Sequence, residues 1–310
     1  MATVCAVVVT HDRREMLREC LGALARQTRA PDAVLVVDNA STDGTAAMLA
    51  EEFPEVTVRR LVTNEGGAGG FHAGMLDAYQ RGFDWLWLMD DDTIPSPTAL
   101  ERLLAGGERA DELGEPAWVL ASKVIWSDGR LHPMNTALPA MHRLDELVDA
   151  TSHGLLAIRC ASAVSLLVSE RAIERFGLPV KRYFIWSDDV EFTARILRSK
   201  PGYLVPDSVV HHKTTTAYTT AQGSPERFYY QVRNSIYMTR SSAWARQEKL
   251  RILWTLLLHV REFLILNRFR PAAIAAVARG LAHGLVTPNE DALTDTPAPR
   301  REAPASLPPA

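Results

Sequence analysis

From Val4 to Asp90 the apolar residues switch between short unbroken runs and helical spacing. "VCAVVVT" is a β-branched run of the kind shown by a strand buried on both faces. In "RREMLRECLGALARQ", Met16, Leu17, Cys20, Leu21 and Leu24 recur at helical spacing. "AVLVVDN" reads as a second strand and "TAAMLAEEF" as a helix that Ser41, Thr42 or Asp43 can cap. "VTVRRLV" gives a third strand, residues 71–82 another helix, and "WLWLMD" a fourth strand. Strands separated by helices predict parallel β-α-β units with right-handed crossovers. In such sheets ligands gather at the carboxyl ends of the strands. A polar cluster follows each strand: His11–Arg13, Asp38–Asp43, Asn64–Gly70 and Asp90–Asp92. These clusters are expected to converge on one edge.

Beyond this alternation, residues 115–215 read as mixed strands and loops. From Pro225 the pattern becomes helical, aromatic and basic. Between Glu226 and Val286 there are ten Arg or Lys against three Glu, a local excess that an acidic remainder offsets. The tail from Thr287 is rich in Pro, Ala and acids and is expected to be disordered. The predicted division is therefore 1–224, 225–286 and 287–310.

Composition narrows the function classes. With 47% apolar residues in 310, the chain can bury a large core. A net charge of -3 gives no support for a nucleic-acid partner. The three cysteines, Cys5, Cys20 and Cys160, form no CxxC pair, so a disulfide framework or a zinc site is not indicated and a reduced compartment fits. At the N-terminus the apolar run covers only Val4 to Val9, shorter than a signal-peptide core, and reads as a buried first strand.

Five stretches carry candidate chemistry, each with a plainer alternative. "DDDT" could be a solvated loop. It ends a strand apolar enough to be central, however, and Asp90 and Asp92 have the spacing to bracket a hard divalent cation. The glycines of "TNEGGAGGF" could make only a flexible loop, or could let backbone N–H groups approach a phosphate or sugar just before a helix. The position is wrong for a Rossmann dinucleotide fingerprint. In "VVDNASTDGT", Asp38 could accept a hydrogen bond from a base or ribose, while Ser41–Gly44 suit a turn and helix cap. In "YFIWSDDVEFTARI", Asp188 and Asp189 could be charges at a helix N-terminus, or carboxyls made more basic by apolar surroundings. In "SVVHHKT", His211 and His212 face opposite ways if the segment is a strand, so only one can serve a given site.

Taken in order, "AVVVTHDR", "VVDNASTDGT", "NEGGAGGF", "LWLMDDD", "WSDDVEF", "VVHHKT" and "YYQVRN" resemble the inverting family-2 glycosyltransferases of GT-A fold over roughly residues 3–240. They are most similar to the bacterial galactofuranosyltransferases and rhamnosyltransferases that build lipid-linked cell-wall glycans. The resemblance implies an α/β fold with a mostly parallel central sheet flanked by helices and a C-terminal helical region. It places Thr10, Arg13 and Asp38 around the nucleoside, with Asp38 near uracil. Asn64, Gly66, Gly67, Gly69 and Gly70 then border the donor sugar, and Asp91 and Trp186 face the substrate. The implied metal ligands are Asp90, Asp92 and His211, holding Mg²⁺ or Mn²⁺. Asp189 is the implied base with Asp188 beside it, and Arg233 lies near the donor phosphates.

The implied reaction moves galactofuranose from UDP-galactofuranose to a polyprenyl-diphosphate-linked glycan acceptor. A dTDP-rhamnose donor is the alternative within enzymes, and a non-catalytic sugar-nucleotide-binding module the alternative outside them. A nucleotidyltransferase would place its glycine loop after the first strand. No stretch reaches the ~20 uninterrupted apolar residues of a spanning helix. The basic, apolar segment between about 226 and 286 fits peripheral attachment to the cytoplasmic face of the inner membrane. A core or dimer helix, and with it a homo-oligomer, is the plainer reading of the same segment.

Overall fold

The computed structural model describes residues 2–214 and 223–288. The expected strands form as β1 (Val4–Thr10), β2 (Ala33–Asp38), β3 (Thr57–Arg60) and β4 (Trp85–Asp90). Between them lie α1 (Arg14–Ala25), α2 (Thr45–Glu52) and α3 (Gly66–Gln80). The chain continues through β5 (Thr93–Pro95), α4 (Ala99–Asp111), β6 (Val119–Ile125), β7 (Leu138–Pro139) and α5 (Leu144–Ser152). Next come β8 (Leu156–Cys160), β9 (Leu166–Ser169), α6 (Glu170–Phe176), α7 (Asp188–Ile196) and β10 (Gly202–His212). The sheet runs β3-β2-β1-β4-β9-β6-β10-β8-β7, with β5 paired to β10. The strands from β3 to β4 are mutually parallel, β6 is parallel to β10, and β9 lies antiparallel between β4 and β6.

The unbroken apolar run of β1 is explained by two cores. Val4, Ala6 and Val8 pack on one face of the sheet with Leu17 and Leu24 of α1 and Leu100 of α4. Cys5, Val7 and Val9 pack on the other with Phe71, Met75 and Tyr79 of α3. Register then makes the strand ends level. Thr10 pairs with Asp38 and Val9 with Asp90, so the clusters after β1, β2 and β4 share one edge.

One expectation changes. The helix expected over 71–82 begins at Gly66, so the glycines lie in its first turns instead of in a loop before it. Gly70 sits where a Cβ would come within 2.4 Å of Val9 Cγ1, so the bare backbone lets α3 lie close on β1. The C-terminal helical stretch is three helices, α8 (Pro225–Arg240), α9 (Arg246–Leu266) and α10 (Pro271–Val286). Phe228, Val232 and Ile236 of α8 pack with Leu256 and Phe263 of α9 and with Val277 of α10. Farther along α8, Tyr237 and Met238 pack with Ala68, Cys160, Tyr183 and Ala194. So α8 belongs to both packing units on either side of the division expected at 224/225. The tail expected to be disordered lies, from residue 289 onward, outside the described residues.

Candidate active site

Two of the three carboxylates after β4, those of Asp91 and Asp92, are held by donors from neighbouring elements. Thr10 Oγ1, at the end of β1, donates to Asp91 Oδ2 at 2.8 Å. Arg13 Nη1, four residues past β1's last valine, donates to Asp92 Oδ2 at 2.5 Å and to Asp91 Oδ1 at 3.3 Å. Thr10 and Arg13, expected around the nucleoside, are thus engaged with the acidic motif itself. Burial pushes the Asp91 carboxyl up to about 6, against the pull of Arg13. Burial also raises Asp90 well above the usual carboxylate range, with the charges of Asp92, Asp91 and Asp189 adding to it. That last contribution shows that the acids after β4 and the pair heading α7 feel one another. Asp92 stays low despite burial, through its hydrogen bond to His212 and the nearby charges.

The histidine of this cluster is His212, which corrects the assignment of His211. β5 pairs antiparallel with β10, setting His212 opposite Thr93 and His211 opposite Ile94. Strand alternation then turns His212 inward and leaves His211 exposed. His212 Nε2 lies 3.0 Å from Asp92 Oδ1, and its Nδ1 lies 2.9 Å from Asn135 Oδ1. Asn135 Nδ2 donates to Ser162 Oγ at 3.1 Å, and Oδ1 faces the ring to accept from Nδ1–H. With Nδ1–H engaged by Asn135, Nε2 is the nitrogen that faces the cluster, and a cation bound there would take the place of its hydrogen bond to Asp92. Asp90, Asp92 and His212 offer ligand atoms all within 4.8 Å of one another. Two carboxylates and an imidazole suit Mg²⁺ or Mn²⁺.

Asp188 and Asp189 open α7. Asp189 Oδ2 accepts the Ala163 N–H at 3.0 Å and Oδ1 accepts the Val190 N–H at 2.7 Å. Burial raises both carboxyls, and the Asp189 charge raises Asp188 further. The segment leading to them is contorted. Phe184 (φ 63, ψ -62) centres a three-residue turn closed by Ile185 N–H to Tyr183 O at 2.7 Å. Trp186 (φ 66) and Ser187 (φ 68) are left-handed as well. Such positions cost on the order of 1–3 kcal/mol each and persist only where the surroundings impose them.

Arg233, expected near the donor phosphates, is buried against that segment. Its Nη2 donates to Arg182 O at 2.6 Å and Tyr183 O at 2.8 Å. Its neighbour Asn234, which the sequence reading passed over, donates through Nδ2 to Tyr183 O, Ile185 O and Trp186 O at 2.8–3.0 Å. Only its place in "YYQVRN" could have flagged it.

The glycine motif meets the same segment. Gly66 (φ +71) faces Phe184, whose carbonyl oxygen would lie 2.0 Å from a Cβ, and Ala68 N–H donates to that oxygen at 3.2 Å. Asn64 Oδ1 accepts from Gly66 N–H at 2.8 Å. Asn39, also missed, ties β2 to the motif by accepting from Glu65 N–H and donating to Gly66 O. A Cβ at Gly69 would collide with Glu65, so helix packing accounts for Gly66, Gly69 and Gly70, while Gly67 has open space. Asp38 is fully buried; Oδ1 accepts Ser41 N–H at 2.8 Å. Its Oδ2 has no hydrogen-bond partner, with Arg60 Nε 3.6 Å away. A cavity of about 220 Å³ lined by Asp38, Leu49, Phe53 and Arg60 among others adjoins it.

A family model described as Glycosyl transferase family 2 matches residues 5–135. The chain is 34% identical over 200 residues to the galactofuranosyltransferase GlfT1 of Mycolicibacterium smegmatis, covering 63% of this chain and 66% of that relative. It thus spans just under two thirds of that relative's length. It is 25% identical over 294 residues to the N-acetylglucosaminyl-diphospho-decaprenol L-rhamnosyltransferase of Mycobacterium tuberculosis, covering 81% of this chain and 88% of the other. Among solved structures, S. aureus TarS 1-349 in complex with UDP-GlcNAc superposes with a TM-score of 0.58 at 18% identity, covering 95% of this chain and 82% of that one. The expected fold, GT-A with a central sheet flanked by helices, is the fold of this chain.

Proposed function

We propose, from the match of residues 5–135 to the glycosyl transferase family 2 model, that this chain is a divalent-metal-dependent inverting galactofuranosyltransferase. The observation that carries the reading is the meeting of Asp90, Asp92 and His212, within 4.8 Å, with an α7 carboxylate whose charge reaches Asp90. The identity to GlfT1 supports galactofuranose, from a UDP-linked donor, as the sugar. Asp90, Asp92 and His212 would hold the cation, which supplies positive charge against the leaving diphosphate.

The chain's own residues do the rest. Arg13 and Thr10 orient the carboxylates. Asp189, held by two backbone N–H groups and made more basic by burial, takes the proton of an acceptor hydroxyl. The hydroxyl oxygen bonds to the anomeric carbon as the carbon–phosphate-oxygen bond breaks, and configuration inverts. Asp189 is preferred over Asp188 because it is the member of the pair that matches the family base in "WSDDVEF" and because two backbone N–H groups orient its carboxylate. Asp189→Asn should lower kcat by ~10²–10⁴-fold while UDP binding survives. Full transfer by this variant, or by the wild type in EDTA, would overturn the assignment.

The acceptor is proposed to be a polyprenyl-diphosphate-linked glycan. Among the described residues no helix is long and apolar enough to cross a membrane. α9 buries only Leu256 and Phe263 and leaves Leu250, Trp254, Leu257 and Leu266 exposed beside Lys249, Arg251 and Arg261. An uncovered apolar face set among cations suits the anionic, cytoplasmic leaflet. Flotation should show salt-sensitive binding to anionic vesicles and little to neutral ones. Absence from both, with a dimer formed through this segment, would replace attachment by self-association. A second reading, dTDP-rhamnose as donor, is favoured by the wider coverage of the rhamnosyltransferase. Transfer assayed with UDP-galactofuranose and dTDP-rhamnose side by side separates the two.

A further inference from the structure

Residues 182–187 join the two halves of the site. At one end the Phe184 carbonyl accepts from Ala68 N–H and closes over Gly66. At the other end the segment delivers Asp188 and Asp189 to α7. Its backbone is unfavourable by itself, with Phe184, Trp186 and Ser187 all at positive φ. What imposes that shape comes from far along the chain. Five hydrogen bonds from two adjacent side chains of α8 reach four of its carbonyls, those of Arg182, Tyr183, Ile185 and Trp186. Arg233 is itself fixed by Tyr229, Tyr230 and Tyr237, whose ring centroids lie 5.4, 4.8 and 5.2 Å from its guanidinium carbon. Asn234 is fully buried, and its Oδ1 accepts from Arg233 Nε at 3.1 Å, which turns Nδ2 toward the carbonyls.

We propose that Arg233 and Asn234 are positioning residues for transfer: a donor clamp on α8 that holds the strained 182–187 segment in the form that sets Asp189 beside the Asp90 cluster. The proposal rests on the reading of Asp189 as the base. The chemistry of the pair is specific to this task. Carbonyl oxygens only accept, and Arg233 and the Asn234 amide present donors to them. An aspartate at 234 has nearly the same shape and would aim acceptors at acceptors. The clamp also shows how α8, which carries α9 and α10, can matter to chemistry without touching substrate.

The test compares Asn234→Ala, Asn234→Asp, the double variant Asn234→Ala/Ser187→Gly, and Asp189→Asn. Three readouts are taken on the full chain: transfer from UDP-galactofuranose to a short synthetic lipid-diphosphate acceptor, calorimetric binding of Mn²⁺ with UDP, and amide hydrogen exchange across 182–190. Asn234→Ala should lower kcat by about 100-fold, the size of loss expected when a reacting group shifts by about an ångström. Donor KM and Mn²⁺–UDP affinity should stay at wild-type values, and exchange should rise in 182–190 alone. Asn234→Asp should fall at least as far. Glycine adopts positive φ freely, so Ser187→Gly should restore about 10-fold of the lost kcat. A side chain that merely filled space would show no such rescue.

Wild-type kcat in Asn234→Ala, or unchanged exchange in 182–190, overturns the clamp. If Asp189→Asn transfers normally, the base assignment fails, and the clamp then stands or falls on the exchange result. If Asn234→Ala does not fold, Arg233→Lys, which keeps the charge and loses the planar fork, should show the same pattern at smaller amplitude. Wild-type behaviour there counts against the proposal.

Discussion

Two adjacent histidines make opposite predictions. Replacing His212 by alanine removes the imidazole whose Nε2 lies 3.0 Å from Asp92 Oδ1 and whose ligand atom falls within 4.8 Å of those of Asp90 and Asp92. Replacing His211 removes an exposed ring on the other face of β10. Loss of a residue that only supports a metal ligand typically weakens binding ~10–100-fold. His212 offers the ligand itself, so about 100-fold, or ~2.7 kcal/mol, is the minimum expected for Mn²⁺. Asn135→Ala should fall within the supporting range, because it frees the His212 ring to choose its tautomer without removing the nitrogen. The assay is a titration of free Mn²⁺ by electron paramagnetic resonance in the presence of UDP, with thermal unfolding as a check that each variant is folded. Tight Mn²⁺ binding in His212→Ala, combined with its loss in His211→Ala, would refute the strand register and the metal centre together.

Two further outcomes follow from burial and backbone shape. The Asp91 carboxyl is raised from 3.8 to about 6, so the folded state holds its proton more tightly than the unfolded chain. Its contribution is fully present below about pH 4 and is lost as pH rises through about 6; the shift corresponds to ~3 kcal/mol. Asp91→Asn should therefore gain stability relative to wild type as pH rises across that window in EDTA, read by urea unfolding at both ends, and a pH-independent difference would contradict the burial argument. Gly66→Ala should destabilise by at least about 2 kcal/mol, because it sets a Cβ 2.0 Å from the Phe184 carbonyl oxygen at φ +71. Gly67→Ala meets nothing within 4 Å inside α3 and should keep or raise stability, by up to about 1 kcal/mol, so any loss of transfer in that variant reports contact with the donor; equal melting of the two variants would sink the distinction.

The sheet and its active edge were legible because they are written in local patterns. Three apolar runs, each closed by polar residues, became the parallel strands β1, β2 and β4 with level ends, since a strand buried on both faces leaves only its termini for chemistry. The glycines of α3 were harder to read. A glycine cluster means a loop as often as a tightly packed helix, and only the depth of Val9 and the path of Phe184 show that this one is a helix. The histidine pair marks a firmer limit. Alternation says that one of two neighbours faces inward, but which one depends on pairing with β5, a partner more than a hundred residues away in sequence that no local pattern announces.

The same reasoning explains why α8 looked like the start of a separate helical region. Its aromatic, basic pattern runs on into α9, and Phe228, Val232 and Ile236 do pack with α9 and α10. Yet the residues that join it to the catalytic edge, Arg233 and Asn234, are polar, so hydrophobic periodicity does not register them. They become visible only once the positive φ values of 184, 186 and 187 require donors to hold them. A polar pair buried inside an amphipathic helix is costly unless each donor finds an acceptor. Here the acceptors are the carbonyls freed by an irregular segment. Strain in one element and buried polarity in another thus offset each other, and removal of either should expose the cost of the one left behind.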